Sequence, residues 1–204
     1  MIKVGLILEC GPGGPDEQIY RHLAQALIPK IKLSCETMVD KPKLVADCGK
    51  VAARLLAVGC ERVGIVWDLF PKWRVPDEQH CLGQDRDEIA ASLDEAKVGA
   101  PRVQLVCVQE ELEAWLLADS RALTAFFSRP AHPAKKMPEF KRPEGMSNPK
   151  GHLRKLFNKY LGKHRRYNEM VDAFRIFQNV QDWERLKRCP SFVRFVERVL
   201  GGNV

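Results

Sequence analysis

Three short apolar runs constrain this chain more than any other feature: KVGLILE from Lys3 to Glu9, RVGIVWD from Arg62 to Asp68, and RVQLVCV from Arg102 to Val108. Each is nearly continuous in apolar side chains and rich in valine and isoleucine. A strand that meets water on one face alternates polar with apolar residues, whereas parallel strands covered on both faces do not. A weaker run spans Ile31 to Thr37. Helical periodicities separate the runs: Ile19, Leu23, Ala26 and Leu27 share a face over Asp16 to Ile28, and Leu44, Val51, Leu55 and Val58 share one over Lys43 to Val58. A further helix is expected over Asp85 to Lys97. Strand and helix in alternation predict an α/β fold, a doubly wound and mainly parallel sheet with crossover helices.

The texture changes after Phe127. Ser128 to Pro149 is rich in proline and lysine and reads as an extended basic excursion. Helical signals return at Lys150 to Leu161, Asn168 to Phe177, Gln181 to Lys187 and Ser191 to Leu200, with Gly201-Gly202 as a stop. The expected organisation is an α/β domain over residues 1–127, with the excursion and C-terminal accessory helices of 128–204 packed on it as one globular unit. At 204 residues and 45% hydrophobic, the chain can bury one substantial core. No apolar stretch approaches the ~18 residues of a membrane span, so a soluble, cytoplasmic protein without a membrane partner is expected. The seven cysteines are an odd number with no CxxC pair, which argues against a disulfide framework and against a zinc knuckle.

The strand ends carry the candidate chemistry. In a parallel sheet, ligands bind beyond the carboxyl ends of the strands. Here one run ends at Glu9, another at Asp68, and a third leads through Gln109 into Glu110, Glu111 and Glu113. Each acid alone also reads as a helix cap or a solvated loop residue, since carboxylates suit helix N-termini. Held together on an apolar sheet they would repel, and a divalent cation is the usual remedy. The loop CGPGGPDE after Glu9 reads as a turn with Asp16 as a helix cap more readily than as a phosphate loop, because no GK[ST] follows. Asp119 is expected to cap the next helix, Ser120 to Phe127, and Leu112, Trp115 and Leu116 read as core.

Charge supplies a second signal. The chain has 33 basic and 26 acidic residues, a net charge of +7, with the excess concentrated between Lys135 and Arg166. Lys150 and Arg154 in NPKGHLRK, and Arg165 and Arg166 in KHRRY, are the candidate nucleic-acid contacts; a solvated basic face is the competing reading.

Several of these residues carry a resemblance. Glu9, the loop containing Gly11, and Asp16-Glu17 opening a helix look like the E-G-x-x-D start of Toprim domains, and VWDLFPKW looks like the position of their D-x-D motif. ELEAWLLAD, with NPK at Asn148 to Lys150 and CPSF at Cys189 to Phe192, is similar to an uncharacterised bacterial Toprim-related family. That family includes relatives of the nuclease half of overcoming-lysogenization-defect proteins. The resemblance implies a Toprim-like sheet in which Glu9, Asp68 and Glu113 are catalytic and Glu9, Asp68, Glu110 and Glu113 hold Mg²⁺ or Mn²⁺. It implies nuclease or phosphotransfer chemistry on nucleic acid, in bacterial defence with an ATPase partner. The sequence departs from D-x-D, which reads Asp68-Leu69-Phe70, and Glu110 or Glu113 is the candidate replacement. The alternative is a Toprim-like module that binds nucleic acid or protein without cutting.

Overall fold

The computed structural model describes residues 2–69, 82–99, 101–129, 133–134 and 136–203. Four strands, β1 (Lys3–Leu8), β2 (Lys32–Thr37), β3 (Arg62–Asp68) and β4 (Val103–Val108), form one all-parallel sheet in the order β2-β1-β3-β4. The helices α1 (Pro15–Leu27), α2 (Lys41–Ala57) and α3 (Leu82–Glu95) connect them. The mixed α/β reading of the runs therefore holds, and the weak run becomes the edge strand β2. The α1 connection leads from β1 to one edge and α2 crosses back over β1 to β3, so the winding direction reverses between β1 and β3.

Period-two side chains divide the strands between two cores. Val4, Leu6, Leu8, Val66, Val106 and Val108 face α1 and the C-terminal helices. Ile7, Val63, Ile65, Trp67 and Cys107 face α2 and α3. Burial on both faces explains why these runs lack polar alternation. The α2–α3 crossing depends on Gly49, where a Cβ would lie 1.9 Å from the Ser92 carbonyl oxygen.

Beyond β4 come α4 (Glu113–Ala118), α5 (Ser120–Phe127), α6 (Pro149–Leu161), α7 (Glu169–Phe177) and α8 (Pro190–Arg194). Helix α4 is buried along its whole length, so EAWLLA is apolar on every side because it lies inside the core. Trp115 meets Tyr20 of α1 and Phe192 of α8 edge-on, at 5.6 and 5.4 Å between ring centroids. Asp119 caps α5, accepting the Arg121 N–H at 2.9 Å. The single helix expected over Ser191 to Leu200 is α8 followed by a π-helix, Phe195–Leu200, that buries Phe195, Val196, Val199 and Leu200 together. Val199 packs where Gly64 leaves the sheet bare, and a Cβ there would come within 2.5 Å of it. The helix expected over Gln181 to Lys187 is a 3₁₀ segment, Trp183–Arg188, capped by Asp182. Among the described residues every cysteine is free, and no helix is long and apolar enough to cross a membrane.

Candidate functional site

The reversal between β1 and β3 leaves a crevice at their carboxyl ends, where open α/β sheets bind ligands. Glu9 follows the last residue of β1 and Asp68 ends β3, and the two strands pair with Leu8 opposite Val66. The Asp68 main-chain N–H donates to Glu9 Oε2 at 3.1 Å, which locks the two strand ends together. Asp68 Oδ2 in turn accepts the Leu112 N–H at 3.4 Å, at the entry to α4. Glu113 is the first residue of that helix.

Asp16 completes the group by a route the sequence reading missed. The N-cap of α1 is Gly14 and Pro15 opens the helix, so Asp16 is not the cap but lies in the first turn. Proline suits that position because its absent N–H would have no helical partner. Glu9, Asp16, Asp68 and Glu113 all line one pocket of about 260 Å³, together with Lys150 and Glu169.

The pocket is electrostatically costly. Burial, then the charges of Lys41 and the other neighbours, pushes the Glu9 carboxyl up to about 7. Burial followed by repulsion from Glu113 and Glu169 pushes Asp16 to about 7 as well. Asp68 is raised well above the usual carboxylate range by burial and by Asp16, Glu9 and Glu113. Glu113 is also raised, chiefly by burial. Carboxylates this close cannot all ionise without a counter-charge.

Two lysines supply part of it. Lys41 opens α2 on the other side of the sheet, is 1% exposed, donates to the Leu69 carbonyl at 3.1 Å and pairs with Asp85 at 3.7 Å. Asp85 also accepts from Trp67 Nε1 at 3.1 Å. Lys150 lies at the pocket itself, with Nζ 2.5 Å from Glu169, 3.3 Å from Glu111 and 3.7 Å from Glu113. Burial pulls the Lys150 ammonium down, but these carboxylates raise it on balance.

The match to a family of domains spans Asp68, Glu113, Lys150 and Glu169. This chain belongs to the family described as Domain of unknown function (DUF4276), matched over residues 17–200. No curated protein and no solved structure matches it. Glu9 and Asp16 lie just ahead of the span matched to DUF4276.

Of the residues expected at the site, Glu9, Asp68 and Glu113 are brought together. Glu110 is not among the residues lining the pocket. It occupies a left-handed turn at φ 69°, and its neighbour Glu111 turns instead toward Lys150. Phe70, the second D-x-D position, lies outside the described residues. Among the described residues no three His, Cys, Asp or Glu side chains stand close enough together to hold a metal ion as they are placed. The acids line a cavity rather than pinch a point.

The four expected nucleic-acid contacts share an open groove of about 660 Å³, which also has Lys150, Glu169 and Met170 in common with the acid pocket. Arg154 and Arg166 are exposed there. Arg165 pairs with Asp172 and sits 5.4 Å over the Phe157 ring. Tyr167 neither faces solvent nor offers its ring to a ligand: it is 6% exposed, and its hydroxyl donates to Glu113 Oε1 at 3.0 Å. Glu111, Glu169 and Tyr167 gave no site signal in the sequence, because what makes them site residues is contact with Lys150 and Glu113 across the fold.

Proposed function

We propose that this chain is a Toprim-like, Mg²⁺- or Mn²⁺-dependent enzyme that cuts or transfers nucleic-acid phosphodiesters, and that its resemblance to defence nucleases extends to an ATPase partner. The observation that carries this reading is the convergence of Glu9, Asp16, Asp68 and Glu113 on one pocket at the switch point of the sheet, with a basic groove running into it. The donor set suits a hard cation, being all carboxylate oxygen and short of positive charge. Magnesium keeps several waters and needs few protein ligands when a phosphate supplies others.

Glu9, Asp16 and Asp68 would hold such an ion, with the free oxygen of Glu113 within the same cavity. When bound, a divalent ion supplies polarisation of a phosphoryl oxygen and activation of water. Glu9, poised at about 7, can take a proton from an attacking water or return one to a leaving oxygen near neutral pH. Arg154 and Arg166 would steer the phosphate backbone along the groove toward the acids.

One observation favours a second reading. Lys150 already neutralises part of the acid cluster, and a site balanced by its own lysine suits a module that binds without cutting. A nuclease assay on single- and double-stranded DNA and RNA, with Mg²⁺, Mn²⁺ and chelator, decides between the two. Glu9→Gln and Asp68→Asn should each lower metal-dependent cleavage by roughly a thousandfold, a loss of about 4 kcal/mol of transition-state stabilisation. Phe70→Asp should raise it. A parent chain that cleaves no nucleic acid and gains no stability from divalent ions would leave the binding module as the account.

A further inference from the structure

The pocket acids fall into two sets according to what already neutralises them. Glu111, Glu113 and Glu169 share one ammonium, that of Lys150, at 3.3, 3.7 and 2.5 Å. Lys150 is fixed there by its backbone as well, since its main-chain N–H donates to Glu111 Oε2 at 3.3 Å in the first turn of α6. On Glu113 both Lys150 and the Tyr167 hydroxyl engage Oε1. The second set is Glu9, Asp16 and Asp68. Among the described residues none of these three is in an ion pair, and Lys41, which acts on Glu9 from farther off, is paired with Asp85.

We propose that Lys150 is a resident cation that takes the place a second divalent ion would fill, so that this pocket admits one ion, at Glu9, Asp16 and Asp68, and not two. This rests on the metal-dependent reading above and adds the number of ions to it. A two-ion site sets its metals about 3.5–4 Å apart with carboxylates between them. Here the carboxylate that would bridge is Glu113, and an ammonium already stands against its Oε1. A second dication on that side would have to displace the lysine or lie beside it, at a cost that rises as water is excluded. The lysine also delivers its charge without the dehydration that a magnesium ion resists.

The test is Mn²⁺ titration by calorimetry, with electron paramagnetic resonance of the bound ion, on the parent and on Lys150→Met, Lys150→Arg, Glu169→Gln and Glu9→Gln. Circular dichroism melts would confirm that each variant folds. The parent should bind one Mn²⁺ per chain, with the spectrum of an isolated ion. Lys150→Met should bind two, with spin coupling between them, while Lys150→Arg and Glu169→Gln stay at one. Two coupled ions on the parent would overturn the proposal even if Lys150→Met did not fold, and so would a folded Lys150→Met that still takes one. A single parent ion lost in Glu9→Gln upholds the metal reading whatever Lys150→Met does. No ion on either the parent or Lys150→Met removes that reading and this proposal together.

Discussion

Two places in this molecule bury carboxylates, and they do so in opposite ways. Glu144 is 3% exposed in the segment before α6 and is surrounded by donors. It accepts the Ser191 N–H with both oxygens at 3.2 Å, Trp115 Nε1 at 3.2 Å and the Ser191 hydroxyl. Burial raises its proton affinity, but the Ser191 and Trp115 donors pull it back. At the end of the sheet, by contrast, Glu9 receives one main-chain N–H and Asp68 one long one, while repulsion among the acids adds to burial. Glu144 staples α4 to the start of α8. The sheet-end acids hold charge that the fold leaves unmatched, beside a cavity. Burial alone does not mark a functional acid; burial without donors, facing open volume, does.

The comparison breaks first at Glu144. Glu144→Ala strands the Trp115 indole N–H and the Ser191 groups in a dry interior and should cost on the order of 4 kcal/mol, as several unsatisfied polar groups at about 1–3 kcal/mol each require. Urea unfolding measures it, and a loss under 1 kcal/mol would mean that the staple is dispensable.

The pocket should behave the other way, and pH exposes it. Glu9 is raised from 4.5 to about 7, so between those values the folded state holds a proton that the unfolded state has released. Its contribution is therefore full below about 4.5, declines as pH rises, and is lost above about 7. Glu9→Gln is neutral throughout. In chelator, its stability relative to the parent should be near zero at pH 4.5 and grow to roughly 3 kcal/mol by pH 8, at about 1.4 kcal/mol per unit. Paired melts across that range test the sign, and a variant less stable than the parent at pH 8 would show that the Glu9 charge is matched after all.

A smaller effect is expected at Asp68. Asp68→Asn keeps an acceptor for the Leu112 N–H while removing one charge from the cluster, and without metal should stabilise by about 1 kcal/mol at pH 7.5. Added Mg²⁺ should stabilise the parent more than this variant, which thermal melts would show.

The smallest effect is at the groove. Arg154→Glu and Arg166→Glu change exposed side chains and should leave stability within about 0.5 kcal/mol. If the groove carries nucleic acid, they should flatten the salt dependence of binding to duplex DNA by about 0.9 in log–log slope for each phosphate that is no longer neutralised.

Much of the fold was legible because it depends on local pattern. The runs ending at Glu9, Asp68 and Val108 lack polar alternation since both their faces are covered, and Ser120–Phe127 was readable from the Asp119 cap and its periodicity. Strand-end position was enough to single out Glu9 and Asp68. It could not choose between Glu110 and Glu113, because that choice is made by a left-handed turn at Glu110. Nor could it give Asp16 its place, since the cap fell to Gly14. The surface reading of the basic segments failed for Lys150 and Tyr167, whose charge and hydroxyl turn inward to the acids.

The sequence by itself determined which segments could be strands covered on both faces and which acids must end them, because burial and helix periodicity are written within a few neighbouring residues. Only the tertiary structure decided that α1 and α2 wind in opposite senses from β1, so that Glu9 and Asp68 meet at one crevice. It alone brought Lys150 of α6 and Glu169 of α7 to Glu113 of α4. The physical reason is range: hydrophobic patterning acts along the chain, whereas the repulsion and pairing of these charges depend on distances set only when distant helices pack on the same face of the sheet.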